Sequence, residues 1–226
     1  MKRLAHIAAV AIGFAGLSSV ARADGAASFG VSLDGYFAPV WDDSVTNTTN
    51  VDEQRRSRGL LGLAALANVG PYAAGAIVDG FPGMFGNGRM SVGGVAGWQP
   101  RLGAIRWQVL GEIGAERFSD VGGTFFTSPN TNETWLDYVG LRLGSSETIG
   151  RGEHFELGTW IFMRRDLGQA TVTSHPSGFF DDGSSTTYHL GGYTLGAAFR
   201  VGMRFDHKRA SAPESREMAF DGRRNL

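Results

Sequence analysis

The stretch Tyr193-Thr194-Leu195-Gly196-Ala197-Ala198-Phe199-Arg200-Val201-Gly202-Met203-Arg204-Phe205 alternates without a break. Its odd positions carry Tyr, Leu, Ala, Phe, Val, Met and Phe. Its even positions carry Gly, Thr, Ala and two arginines. A period of two sends these sets to opposite faces of an extended strand. Wound as a helix, the same residues would scatter apolar groups around the circumference. The arginine face cannot lie against hydrocarbon, because an Arg at the bilayer midplane of a barrel costs about 2–4 kcal/mol. The odd face has no polar atom except one Tyr hydroxyl, at the end where a water interface would sit. The stretch reads as a strand with lipid on one side and a polar lumen on the other.

Seven further segments repeat the pattern, at 27–38, 58–67, 72–79, 89–99, 104–116, 135–143 and 154–165. In 104–116, Ile105, Trp107, Val109, Ile113 and Ala115 oppose Arg106, Gln108, Glu112 and Glu116. In 154–165, Phe155, Leu157, Ile161 and Met163 oppose Glu156, Gly158, Trp160, Phe162 and Arg164. Connections after the second, fourth and sixth segments are brief. Those after the first, third, fifth and seventh are long and polar. Strands of about 9–11 residues cross a bilayer when tilted, and short turns at one end with long loops at the other mark outer-membrane barrels. The fold class is therefore all-β, an eight-stranded antiparallel up-and-down transmembrane β-barrel.

Composition agrees. The chain has 226 residues and no run of eighteen apolar residues after its N-terminus, so ordinary transmembrane helices are excluded. Glycine is twice its usual share, at 34 residues, as tight turns and crowded lumen contacts demand. With no Cys, disulfides, thiol catalysis and cysteine zinc sites are absent. Residues 1–23 read as a secretory signal: Lys2 and Arg3, an apolar run 7–17 too short to span, and Ala21-Arg22-Ala23 before the cut. The barrel then occupies 24–205, and 206–226 is a polar periplasmic tail expected to be disordered. The formal charge is −1. That acidity, deeper once the signal's three cations are removed, argues against nucleic acid as a partner.

Aromatics fall near the strand ends. Phe29, Tyr72, Trp98, Phe155 and Phe205 sit beside the brief turns or termini. Phe37, Phe81, Phe118 and Trp135 sit beside the long loops. Two interfacial belts follow from the amphipathic character of such rings.

The chain resembles the small eight-stranded outer-membrane barrels, of the OmpA transmembrane domain, OmpX and OmpW kind. The resemblance rests on topology over 27–205: signal, eight strands, alternating brief and long connections, and a last strand ending on an aromatic. It implies the bacterial outer membrane as location. It also implies outer-membrane lipid and lipopolysaccharide as surroundings, and the barrel-assembly machinery as a partner through the last strand. Members commonly end at that aromatic, whereas Phe205 is followed by 206–226. The tail is too short for a peptidoglycan-binding domain.

On the lumen parity lie Arg58, Arg106, Arg142, Arg164, Arg200 and Arg204, with Asp34, Asp79, Glu112, Glu116 and Glu156. Buried charges of opposite sign should pair. If Phe29 and Phe205 lie level at closure, Asp34 comes opposite Arg200. If Leu143 and Phe155 lie level, Arg142 comes opposite Glu156. Leu66, Val95, Tyr138, Trp160 and Phe162 share the inward parity, as core packing or as a greasy lumen. The main functional reading is a structural or surface-interaction barrel with a side-chain-filled lumen. Alternatives are a narrow conduit for small apolar solutes and a lipid-modifying hydrolase. For the latter, His175-Pro176-Ser177 with Asp181 and Asp182 lacks a G-x-S-x-G elbow. His175, His189 and those aspartates match no metal-ligand spacing. No catalytic residue, metal or cofactor is assigned. A soluble lipocalin-like barrel would fit the same alternation with its faces reversed; the signal and the belts favour the membrane.

Overall fold

A computed structural model describes residues 29–47, 56–80, 88–119, 121, 128–130, 133–149, 154–177 and 185–207. The expected signal peptide, Phe81 and the tail beyond His207 lie outside the described residues. Eight long strands form the wall: β1 Phe29–Asp42, β2 Arg56–Val69, β3 Tyr72–Gly80, β4 Gly88–Trp98, β5 Ile105–Ser119, β6 Thr134–Ile149, β7 Phe155–Asp166 and β8 Tyr193–His207. Each pairs antiparallel with its sequence neighbours, and β8 returns to β1, closing the barrel. Closure satisfies every strand edge, which a lipid environment requires.

The register fixes the tilt. A line of paired residues runs Gly30, Asn68, Ala73, Gly97, Leu110, Arg142, Phe162, Gly196 and back to β1 at Val40. One circuit climbs ten residues, and a shear of that size over eight strands tilts them by about 40°.

The two faces separate as the alternation requires. Phe199 and Val201 look outward, while Arg200 is fully buried and Arg204 nearly so. The reversed, lipocalin-like arrangement is thereby overturned. From Phe29 to Trp41 the outer wall of β1 spans about 30 Å along the axis. Exposed Leu, Ile, Val, Phe, Met and Trp side chains cover that band, as an acyl-chain environment demands.

Three differences from the sequence reading have clear causes. First, β8 is shifted against β1. Phe205 pairs with Val31, and Asp34 lies opposite Gly202 rather than Arg200. Second, β6 does not stop at Leu143. Ser145, Ser146, Glu147 and Thr148 look like turn residues but continue the strand, so Glu156 pairs with Thr148 and Arg142 with Phe162. Third, Phe118 is not an interfacial ring. It shares the parity of Glu112 and Glu116 on β5, and is buried against Val121, Leu136 and Leu190.

The loop end is more ordered than polar connections suggest. Short strands Val45–Asn47, Thr186–Leu190, Ala170–Ser177 and Ser128–Asn130 join in that order into a four-stranded sheet over the barrel mouth. Its inner side, with Val45, Ala170, Val172 and Tyr188, packs on the Phe118 cluster. At the other end Gly70, with φ 56°, makes the tight β2–β3 turn.

Candidate functional site

Among the described residues, six buried arginines share the lumen with six buried carboxylates: Arg89, Arg106, Arg142, Arg164, Arg200 and Arg204 with Asp34, Asp42, Asp79, Glu112, Glu116 and Glu156. The inward parity of each strand delivers them, and they sort into three levels.

The middle level is the densest. Arg142 Nε lies 2.8 Å from Glu112 Oε2, and Arg164 Nη2 lies 2.7 Å from Glu112 Oε1. Arg164 also binds Asp79, with Nη1 2.9 Å from Oδ1, and Arg142 Nη2 reaches Asp79 at 3.4 Å. The remaining acceptor sites take hydroxyls: Tyr138 donates to Glu112 at 2.7 Å, while Tyr36 and Ser91 donate to Asp79. Every carboxylate oxygen of Glu112 and Asp79 is thus taken, while Arg142 Nη1 and Arg164 Nε make no hydrogen bond. A buried ion cluster repays its desolvation through such added hydrogen bonds.

At the turn end, Glu156 is the hub. Its partners are Arg200 at 2.8 Å, Arg106 at 3.6 Å and Arg204 at 4.0 Å. The expected Arg142–Glu156 pair does not form, because the longer β6 sets Arg142 six residues further along the β7 register. Arg200 nevertheless reaches Asp34 at 3.4 Å. Its long side chain spans the diagonal, and Gly202 opposite Asp34 leaves room; a Cβ there would strike the carboxylate. At the loop end, Arg89 binds Asp42 at 2.6 Å and Glu116, with Ser44 at 2.8 Å and Thr194 at 2.7 Å. The sequence pattern does not mark Asp42 and Arg89 as network members, because the alternation of the first segment fades after Ala38 and Arg89 stands at the start of its own segment. The Arg58 side chain lies outside the described residues.

Aromatic rings separate the cations. Arg200 stands 4.9 Å from the Trp160 ring, and Arg142 5.2 Å from the same indole. Arg142 is 4.7 Å from Phe162, Arg164 5.3 Å from Phe162 and 4.9 Å from Tyr138. The bore therefore holds a column in which guanidinium and ring alternate: Arg200, Trp160, Arg142, Phe162, Arg164, Tyr138. Each such contact is worth about 0.5–2 kcal/mol when desolvated. Glycine makes the column fit. A Cβ at Gly62 would enter the Tyr36 ring, and one at Gly144 the Trp160 ring.

The outward aromatics Phe29, Tyr72, Trp98, Phe155 and Phe205 ring the turn end, and Trp135 lies near the loop end. His175 and His189 share a face of the loop-end sheet, but His189 pairs with Thr171, four residues or about 13 Å from His175. The Ser177 side chain, Asp181 and Asp182 lie outside the described residues. Among the described residues no group of three or more His, Asp or Glu could hold a metal ion.

No family model matches the chain, and no curated protein matches it. Solved structures do. The outer membrane protein OprG from Pseudomonas aeruginosa superposes with a TM-score of 0.52 at 12% identity, covering 79% of this chain and 97% of that one. The fold is that of the small outer-membrane β-barrels. Neisserial surface protein A is also similar, with a TM-score of 0.46 at 12% identity over 76% of this chain and 96% of its own.

Proposed function

We propose that the protein is a bacterial outer-membrane barrel with a structural and surface-interaction role, exported by the signal at 1–23. Its lumen is a sealed polar core, and its long-loop end displays a folded sheet to the exterior. The single observation that carries this reading is the guanidinium–ring column. Six alternating groups, each in contact with the next, leave the midplane without an open bore, as expected where eight strands enclose only enough space for side chains. The sheet above supports the display role: Thr171, Thr173, His175 and His189 look away from the barrel, while its apolar side is used up on the mouth. The last strand would engage the assembly machinery, lipid and lipopolysaccharide would surround the wall, and no catalytic step is assigned.

Planar-bilayer recording on the refolded full chain tests it. A sealed lumen gives no reproducible conductance steps. Steps in the wild type that disappear with Glu112→Ala or Arg142→Ala would overturn it in favour of a conduit.

A further inference from the structure

Where β7, β8 and β1 meet, the outer wall is dented. An apolar groove of about 510 Å³ runs down it, lined by Pro39, Trp41, Ile161, Leu195, Gly196 and Ala197. Above it, a cleft of about 220 Å³ opens between Trp41, Asp43, Tyr193 and Leu195. Both are bounded by Trp41 and Leu195, so groove and cleft form one continuous surface. The dent has a local cause. Pro39 has no N–H to donate, and the β1–β8 pairing jumps from Phe37 with Phe199 to Val40 with Gly196. The register is the same on both sides of the gap, so Ala197 faces Pro39 across it and is too small to fill it.

Charge distinguishes the head of this surface. Arg165 faces outward on β7, paired in register with Tyr193, and its guanidinium stands 5.2 Å from the Tyr193 ring. None of the ion pairs among the described residues uses it. An outward arginine at the loop end of an apolar wall sits where headgroups begin. The Asp43 side chain accepts from the Tyr193 N–H, which fixes the carboxylate at the lip of the cleft.

We propose that this surface binds one phosphorylated glycolipid of the outer leaflet. A headgroup phosphate lies on Arg165, whose planar fork takes phosphate oxygens in pairs. A sugar ring rests against Trp41 and Tyr193, whose rings offer an apolar face at the water boundary. The second oxygen of Asp43 accepts a sugar hydroxyl, and one acyl chain follows the groove past Leu195 to Ile161. A plain glycerophospholipid uses the groove and Arg165 but leaves the paired rings and the carboxylate without a partner. The assignment rests on the outer-membrane reading above.

The experiment is a lipid titration of the refolded full chain in detergent micelles, read by native mass spectrometry. The probes are bisphosphorylated lipid A, its dephosphorylated form and phosphatidylglycerol. The wild type is expected to take up one bisphosphorylated lipid A about ten-fold more tightly than either other lipid, the size of one charged hydrogen bond. Arg165→Gln removes the preference for the phosphorylated form, and Trp41→Ala removes the preference over phosphatidylglycerol. Heat-modifiability on a gel confirms that each variant has closed its barrel. Equal uptake of all three lipids, tighter uptake of phosphatidylglycerol, an unchanged Arg165→Gln preference, or a second copy of the chain seated on the groove would each overturn the site. A chain that refolds but shows no lipid preference removes only this site. A chain that neither refolds in micelles nor pellets with the outer membrane removes the outer-membrane reading itself.

Discussion

Arg142 and Glu112 meet at the centre of the barrel, 2.8 Å apart, each without measurable solvent exposure. They come from non-consecutive-facing positions of neighbouring strands: Arg142 pairs in register with Leu110, and Glu112 with Gly140. The ion pair is therefore a diagonal one across the β5–β6 ladder. Around it stand Asp79, Arg164, Tyr36 and Tyr138, each bonded to one partner or the other.

Removing one member strands the rest. Glu112→Gln leaves Arg142 and Arg164 with only Asp79 between them, and a buried pair broken on one side costs about 3–5 kcal/mol. Unfolding by urea in micelles, followed on the gel as loss of the fast-migrating folded band, should move to lower denaturant by that amount. Arg142→Met combined with Glu112→Leu deletes both charges and should be milder than either single change. A Glu112→Gln barrel as stable as the wild type would mean that the pair contributes nothing.

Much of the fold was legible because parity is local. From Tyr193 to Phe205 the side chains sort onto two faces, and all eight strands can be located from the same rule, but alternation alone fits either face turned outward; the exposure of Phe199 and Val201 and the burial of Arg200 and Arg204 decide it. Parity places a residue on a face but not at a height. Height depends on register, and register depends on where each strand ends. The polar run Ser145 to Thr148 resembles a turn, yet it extends β6 and carries Arg142 away from Glu156 to Glu112. Phe118 illustrates the same limit: proximity to a loop suggested an interface ring, whereas its even position on β5 put it inside. The loop-end sheet was illegible because its short strands are held by the mouth beneath them, not by a pattern of their own.

The two faces should respond in opposite ways to one charge. Phe199 lies outward at mid-wall on β8, whereas Tyr193 stands outward at its loop-end rim. Phe199→Arg should cost about 2–4 kcal/mol and Tyr193→Arg about 0–1 kcal/mol, following the depth profile of a bilayer. Folding free energies in lipid vesicles measure both. Equal costs at the two positions would contradict a membrane-spanning wall.

Lumen glycines are occupied space. At Gly62, in the lumen, an added Cβ would overlap the Tyr36 ring, while at Gly35, on the outer face of β1, it would meet only Leu63 and the Val201 carbonyl at ordinary distances, 3.8 and 4.0 Å. Gly62→Val should therefore destabilise by about 1–3 kcal/mol through overpacking, and Gly35→Ala should be close to neutral. The comparison is made by urea unfolding of the two variants side by side. A tolerated Gly62→Val would show that Tyr36 can swing aside, and with it the hydrogen bond to Asp79.

The sheet over the mouth should detach without unfolding the barrel. It is held by apolar contacts of Leu190 and its neighbours with Phe118, Val121 and Leu136, and its link into β8 passes through Gly191, at φ 106°, and Gly192. Phe118→Ala removes the ring at the centre of that seat, a loss of about 3–5 kcal/mol for a buried Phe. The eight wall strands keep their full hydrogen-bond circuit, so the loss falls on the sheet, whose local stability is the lower of the two. Chymotrypsin has target side chains there in Tyr188 and Leu190. In the wild type both sites are shielded, one half-buried and one fully. In Phe118→Ala, cleavage at 188–190 should accelerate at least ten-fold, in line with an opening made easier by more than 1.4 kcal/mol, while the folded barrel band persists. Cleavage that rises only together with loss of that band would show that mouth and wall unfold as one unit.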